Sequence, residues 1–159
     1  MNIKDKIYCK NIGIYSGQLT KRKSYIVEET NDENIRIWND EGKLRWYSDF
    51  YFSLNNEPEI TSIHIDDEIE DTESDAIEVT IELSNKEKYW LTFTTPKYLE
   101  KILDEESYFS SRHFMIIKNL SEELIKSTIH KLDEQNELIK SCKKFNQKAS
   151  SVMRLFDAY

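Results

Sequence analysis

Apolar residues change their spacing along this chain, and the change divides it in two. Between residues 19 and 52, apolar and polar positions alternate in short runs broken by turn sequences, as in strands with one buried face. Tyr25-Ile26-Val27 is followed by a polar break at Asn31-Asp32. Ile35 and Ile37 then share one face, while Arg36 and Trp38 occupy the other. Asn39-Asp40-Glu41-Gly42 is a tight-turn sequence whose Gly can take positive φ, and Leu44 and Trp46 lie on the returning strand. Residues 6–12 and a short run at 51–54 complete five expected strands, with residues 13–23 as a long polar surface loop.

Glu57-Pro58 marks a boundary, because Pro cannot donate to a strand ladder. A strand with Ile63 and Ile65 on one face follows, then the carboxylate-dense run 66–75. Ile77, Val79, Ile81 and Leu83 alternate with Glu78, Thr80 and Glu82, and residues 89–94 return after a turn at 85–87. Thr95-Pro96 is a cap followed by Pro at the first helical position, with Leu99, Ile102 and Leu103 at helical spacing. After another apolar strand at 113–118, Ser121 caps a helix whose first turn carries Glu122 and Glu123. Its apolar stripe runs Ile125, Ile129, Leu132, Asn136, Ile139 and Cys142, which predicts one long helix. Val152, Met153, Leu155 and Phe156 predict a further short helix. The second half thus reads β-β-β-α-β-α, an antiparallel sheet with two main helices over one face.

The first half carries a resemblance. The series L-T-K-x-K-x-Y-x-V-x-E at 19–29, the hairpin D-E-G at 40–42 and W-Y-S-D-F-Y-F at 46–52 resemble the Src-homology-3-like small barrel. Barrels similar to this occur at the N-termini of uncharacterised bacterial and phage proteins. The resemblance covers residues 6–54 and implies a five-stranded barrel at 1–57; with the patterning of the second half, the expectation is an α+β chain whose acidic α+β domain spans 58–159. Peptide-binding members keep a Trp where Asn34-Ile35 stands here and a Pro where Ser48 stands, so their proline-rich groove is not expected. Tyr8, Tyr15 and Tyr51 remain as an aromatic surface.

Charge sharpens this division. The net charge is −8, yet residues 1–58 hold nine basic and nine acidic groups. Residues 59–110 hold four basic against fifteen acidic, and 111–159 hold nine against six. An acidic chain of this kind disfavours general nucleic-acid binding, which needs a basic surface. No apolar run approaches the roughly 20 residues of a membrane span, and the N-terminus lacks a signal-peptide core. A cytoplasmic protein is expected, with Cys9 and Cys142 reduced and buried as small hydrophobes.

Candidate chemistry is sparse. The run containing Asp66, Asp67, Glu68, Glu70, Asp71 and Glu73 lacks the Gly and spacing of a calcium loop, so it reads as a solvated or partner-facing surface. His64 stands beside Asp66 and Asp67, but no nucleophile motif or Gly-rich phosphate loop accompanies it. No catalytic centre, metal or cofactor is expected. Lys21-Arg22-Lys23, with Arg36 and Arg45, offers a basic cluster for the alternative of a nucleic-acid- or nucleotide-associated regulatory protein. The favoured expectation is a protein-binding protein, similar in size and acidity to toxin-immunity factors and phage-encoded inhibitors of host defence. Its interface is expected at Tyr15, Trp38, Tyr51 and the carboxylates of 66–73, facing a basic partner.

Overall fold

The computed structural model describes residues 1–145, so the helix expected at 152–156 lies outside the described residues. The chain is a mixed α+β protein with three helices among the described residues and sheets that are largely antiparallel. Among the described residues no helix is long and apolar enough to cross a membrane.

Six short strands build the first core. β1 (Lys6–Cys9) lies between β2 (Ser24–Ile26) and β6 (Phe52–Ser53), antiparallel to both. β4 (Asn34–Trp38) lies between β3 (Glu29–Asn31) and β5 (Leu44–Ser48), again antiparallel. The strand expected at 25–29 is therefore split. Val27 is fully buried and bonds back to Asp5 and Lys4, whereas the next amide, Glu28 N–H, donates to the Arg36 carbonyl at 2.8 Å. The chain bends from one sheet to the other at this point. The turns are made by Asp32 (φ 49) and Gly42 (φ 68), both in the left-handed region that Asp and Gly tolerate. The run expected as a strand from Tyr51 opens instead as a 3-10 turn, Asp49–Tyr51, capped by the Ser48 hydroxyl accepting from Phe50 N–H.

The inward positions of both sheets meet in one cluster: Ile7, Cys9, Leu19, Tyr25, Val27, Ile35, Ile37, Tyr47 and Phe52. Burying an aliphatic or Phe side chain contributes about 1.5–3 kcal/mol. The alternation at 35–37 is thus what orients the strand. Leu19 belongs to the same cluster, so residues 13–23 are not wholly a surface loop.

The second core is a five-stranded sheet covered by helix. β7 (Ile60–Ile65), β8 (Ala76–Leu83) and β9 (Lys88–Thr94) form an antiparallel meander. Then α1 (Pro96–Glu105) acts as a crossover, and β10 (Phe114–Ile116) returns parallel to β9. The sheet is mixed rather than purely antiparallel, because a helix between adjacent strands reverses the chain once more. Thr95 caps α1 through its hydroxyl, which accepts from Tyr98 N–H at 3.3 Å, with Pro96 at the first position.

The expected long helix is broken. α2 spans Glu122–Glu134, Asn136 takes φ 58, and a single turn, α3 (Leu138–Ser141), follows. Asn is among the few residues that enter the left-handed region readily, and one such residue ends a helix. The break rotates the chain so that Leu138 and Cys142 enter the core while Ile139 is left 46% exposed. It also lets β11 (Lys143–Lys144) pair with the start of β9, on the edge that β10 borders further along. The core holds Ile77, Val79, Ile81, Leu91, Phe93, Leu120, Ile125 and Ile129.

Candidate functional site

The outer face of the β3–β4–β5 sheet is the most distinctive surface. Ile35, Ile37 and Tyr47 point inward, so Arg36, Trp38, Leu44 and Trp46 must point outward. Register sets Arg36 opposite Trp46 and Trp38 opposite Leu44. Trp38 is 56% and Trp46 43% exposed, large values for indole rings. The Arg36 guanidinium lies 5.8 Å from the Trp46 ring and bonds Glu29 at 2.8 Å, so it is held on the face. Two aromatic rings and one oriented cation thus share a rigid sheet surface. Trp46 was not singled out by spacing, yet its signal was present: it alternates with Tyr47, whose side chain is buried.

Tyr15 and Tyr51 are brought together elsewhere in the first unit. Their rings meet edge to face at 5.1 Å, and Tyr15 also meets Tyr47 at 4.9 Å. Both are half-buried against the first core and act partly as packing. Phe50, 61% exposed, extends the row at 5.4 Å from Tyr51. Trp38 makes no ring contact with this row among the described residues.

The acidic run is strapped down rather than freely solvated. Thr95 Oγ1 donates to the Glu73 carbonyl at 2.6 Å, Thr94 Oγ1 to the Asp75 carbonyl at 3.0 Å, and Leu120 N–H to the Thr72 carbonyl at 2.7 Å. Ile69 packs on the second core. Several carboxylates are used locally: Asp67 accepts from Glu78 N–H, Asp71 from the amides of Glu73 and Ser74, and Glu73 pairs with Lys97. The backbone bonds from Glu73 and Ser74 hold the Asp71 carboxyl below its ordinary range. Glu68 and Glu70 are exposed. Among the described residues no three His, Cys, Asp or Glu side chains converge to hold a metal ion.

His64 bonds Asp66 at 2.8 Å, and Asp66 accepts from the Thr80 hydroxyl at 2.7 Å. The hydroxyl thus faces the carboxylate and not the imidazole, so the trio lacks the nucleophile-to-base bond of acyl transfer. Burial pushes the Cys9 thiol up to about 11 and the Cys142 thiol up to about 12, which leaves both as packing groups.

The basic cluster at 21–23 is paired internally. Arg22 grips Asp133 with two bonds, 2.6 and 2.8 Å, and also donates to the Pro58 carbonyl at 2.6 Å. Lys21, its side chain only 7% exposed, pairs with Glu57 at 3.2 Å and Asp133 at 3.6 Å. Burial alone would lower the Arg22 pKa, but the Asp133 bond and the charges of Asp133, Glu57 and Glu59 together outweigh it and the pKa is raised. Lys23 turns to Asp40 at 2.7 Å. These contacts tie the two cores together, since Asp133 lies on α2.

Asp40 is a second node, accepting from Thr20 (2.6 Å) and Tyr25 (2.9 Å) as well as Lys23. Burial would raise its carboxyl, but the Lys23, Thr20 and Tyr25 bonds together hold it below the ordinary 3.8. A depressed carboxylate contributes stability present above its unfolded pKa and lost as pH falls through the folded one. Asp40→Asn is therefore expected to be less stable than the parent at pH 7, with the gap closing below about pH 4. Urea midpoints measured between pH 7 and 2.5 test this; a gap independent of pH would exclude it. Comparison with known protein families, with functionally characterised proteins and with solved structures gives no match, so no relative supplies a residue role.

Proposed function

We propose that this chain is a non-enzymatic protein-binding protein whose contact surface is centred on Trp38 and Trp46. The exposure of two indoles on one sheet face, with Arg36 oriented between strands, carries this reading. Trp and Arg are enriched at binding hot spots, Trp because it buries large area at small entropy cost and Arg because its planar guanidinium makes several hydrogen bonds, and exposed apolar patches mark contact sites. The first unit fits a Src-homology-3-like small barrel. The supporting features are the two three-stranded sheets around one core, and the 3-10 turn between β5 and β6. The division at residue 57 is supported by two core clusters that share no residue. The setting that suits a small acidic binder is a cytoplasmic toxin-immunity factor or phage-encoded inhibitor of host defence, with the exposed Glu68 and Glu70 available to basic groups of the partner. The nucleic-acid reading loses its principal support once Lys21, Arg22 and Lys23 are paired.

The test is affinity capture on the immobilised full chain, compared with the Trp38→Ala/Trp46→Ala variant. A partner retained by the parent should bind the variant at least about thirtyfold more weakly, as loss of ~2 kcal/mol at a hot spot implies. Both rings are exposed, so the variant should keep its fold, checked by unchanged far-ultraviolet circular dichroism. Equal retention of every captured protein by parent and variant would remove this surface from consideration.

A further inference from the structure

The sheet of the second core has an edge that the described elements leave open. β10 borders β9 alone. The His113 carbonyl accepts from Thr92 N–H at 3.0 Å, and Ile117 N–H donates to the Thr94 carbonyl at 2.9 Å. In a parallel ladder, bonds at these alternate residues direct the groups between them to the opposite side. The N–H and C=O of Phe114 and Ile116 therefore face away from β9, and no described strand pairs with them. Unpaired backbone groups of this kind are a template for an added strand.

The side chains at this edge suit such an addition. Met115 packs on the second core, which places Phe114 and Ile116 on the other face of the sheet. Ile116 is 56% exposed, and the Phe114 ring lies 5.1 Å from Phe109, giving an apolar pad beside the edge. The local charge reverses that of the preceding acidic segment. Arg112 and Lys118 flank β10, both exposed and neither ion-paired among the described residues. In line with β10, β11 adds Lys143 on the same side of β9.

We infer that β10 is a docking edge for an extended segment of a partner protein, apolar at alternate positions and carrying carboxylates at both ends. A second copy is the poorer occupant. Antiparallel self-pairing centred on Met115 sets Arg112 opposite Lys118, like charge against like. Lys and Arg beside an edge deter that pairing and select an acidic strand in its place. This edge lies in the sheet of the second core, distinct from the Trp38–Trp46 face, so Trp38→Ala/Trp46→Ala leaves its binding unchanged and the two readings fail separately.

The probe is a nine-residue peptide of alternating valine and threonine with two glutamates at each end, added to the full chain. Hydrogen exchange read by nuclear magnetic resonance should show fast exchange of the Phe114 and Ile116 amides in the free chain and at least about tenfold slowing with the peptide. A lysine-ended counterpart should bind about tenfold or more weakly, and Arg112→Glu/Lys118→Glu should reverse that preference. Ile116→Pro removes an outward N–H while sparing every bond to β9, so it should abolish peptide binding with Met115 still protected. Three results would each overturn the inference: protection of Phe114 and Ile116 in the free chain, whether by residues 146–159 or by a second copy at high concentration; no slowing by the peptide; or equal binding of both peptides.

Discussion

Asp133→Ala is expected to destabilise the protein by about 3 kcal/mol, a fall in melting temperature of roughly 6–12 °C for a chain of this size. Asp133 and Arg22 are each only 14% exposed at the side chain, and Lys21 is 7% exposed. Removing the carboxylate leaves two cations in a polar seam that excludes most water, with Glu57 paired to Lys21 and Glu57 and Glu59 the remaining anions acting on Arg22. The cost is dominated by those stranded charges rather than by lost attraction. Arg22→Met combined with Asp133→Leu should therefore recover part of the loss, because the Arg22 charge is no longer stranded while Lys21 keeps only Glu57. Thermal unfolding and urea titration of Arg22→Met, Asp133→Leu and the double give the coupling directly. A single-variant cost under about 1 kcal/mol would mean the pair behaves as a solvent-exposed bridge and does not hold the two cores together.

That seam also shows where sequence reasoning ends. Arg22 and Asp133 are 111 positions apart, and a bidentate ion pair leaves no periodic trace in either neighbourhood. Lys21-Arg22-Lys23 could be read only as a cluster of like charge, although the fold sends the three side chains to Glu57, Asp133 and Asp40. By contrast, the alternation at 35–37 and 77–83 stated inward and outward faces correctly, because period 2 is a property of the strand itself. The outward direction of Trp38 followed from the same rule. The end of α2 was hidden by a coincidence. Asn136 falls on the apolar stripe, so the pattern continued through the one residue whose left-handed backbone ends the helix. The parallel return of β10 and the pairing of β11 are consequences of tertiary packing, with only three and two residues of ladder, respectively, to mark them. Similarly, the carboxylates of 66–75 looked solvated by composition. Their bonds to backbone amides of the same loop and of β8 depend on a conformation that composition does not specify.

Gly13→Ala is expected to cost about 2–3 kcal/mol, well above an ordinary surface substitution, and to disturb the tyrosine row. Gly13 sits at φ +50, where a side chain is strained, and a Cβ there would lie 2.6 Å from Cε1 of Tyr51. The ring has little freedom to retreat, since it meets Tyr15 at 5.1 Å and Phe50 at 5.4 Å. The backbone is fixed too: Gly13 N–H donates to Asn11 Oδ1 at 2.8 Å, and Lys10 N–H to the Tyr51 carbonyl at 2.9 Å. Gly17 supplies the internal control. Its φ is +81, but nothing lies within 4 Å of a Cβ built there, so Gly17→Ala carries the backbone strain alone, about 1 kcal/mol. The difference between the two variants, measured by urea denaturation, isolates the steric term. The near-ultraviolet circular dichroism of the tyrosines should change in Gly13→Ala and stay constant in Gly17→Ala. Equal costs at the two positions would show that the Tyr51 ring yields freely, and Tyr15 and Tyr51 would then be an adaptable surface instead of a fixed one.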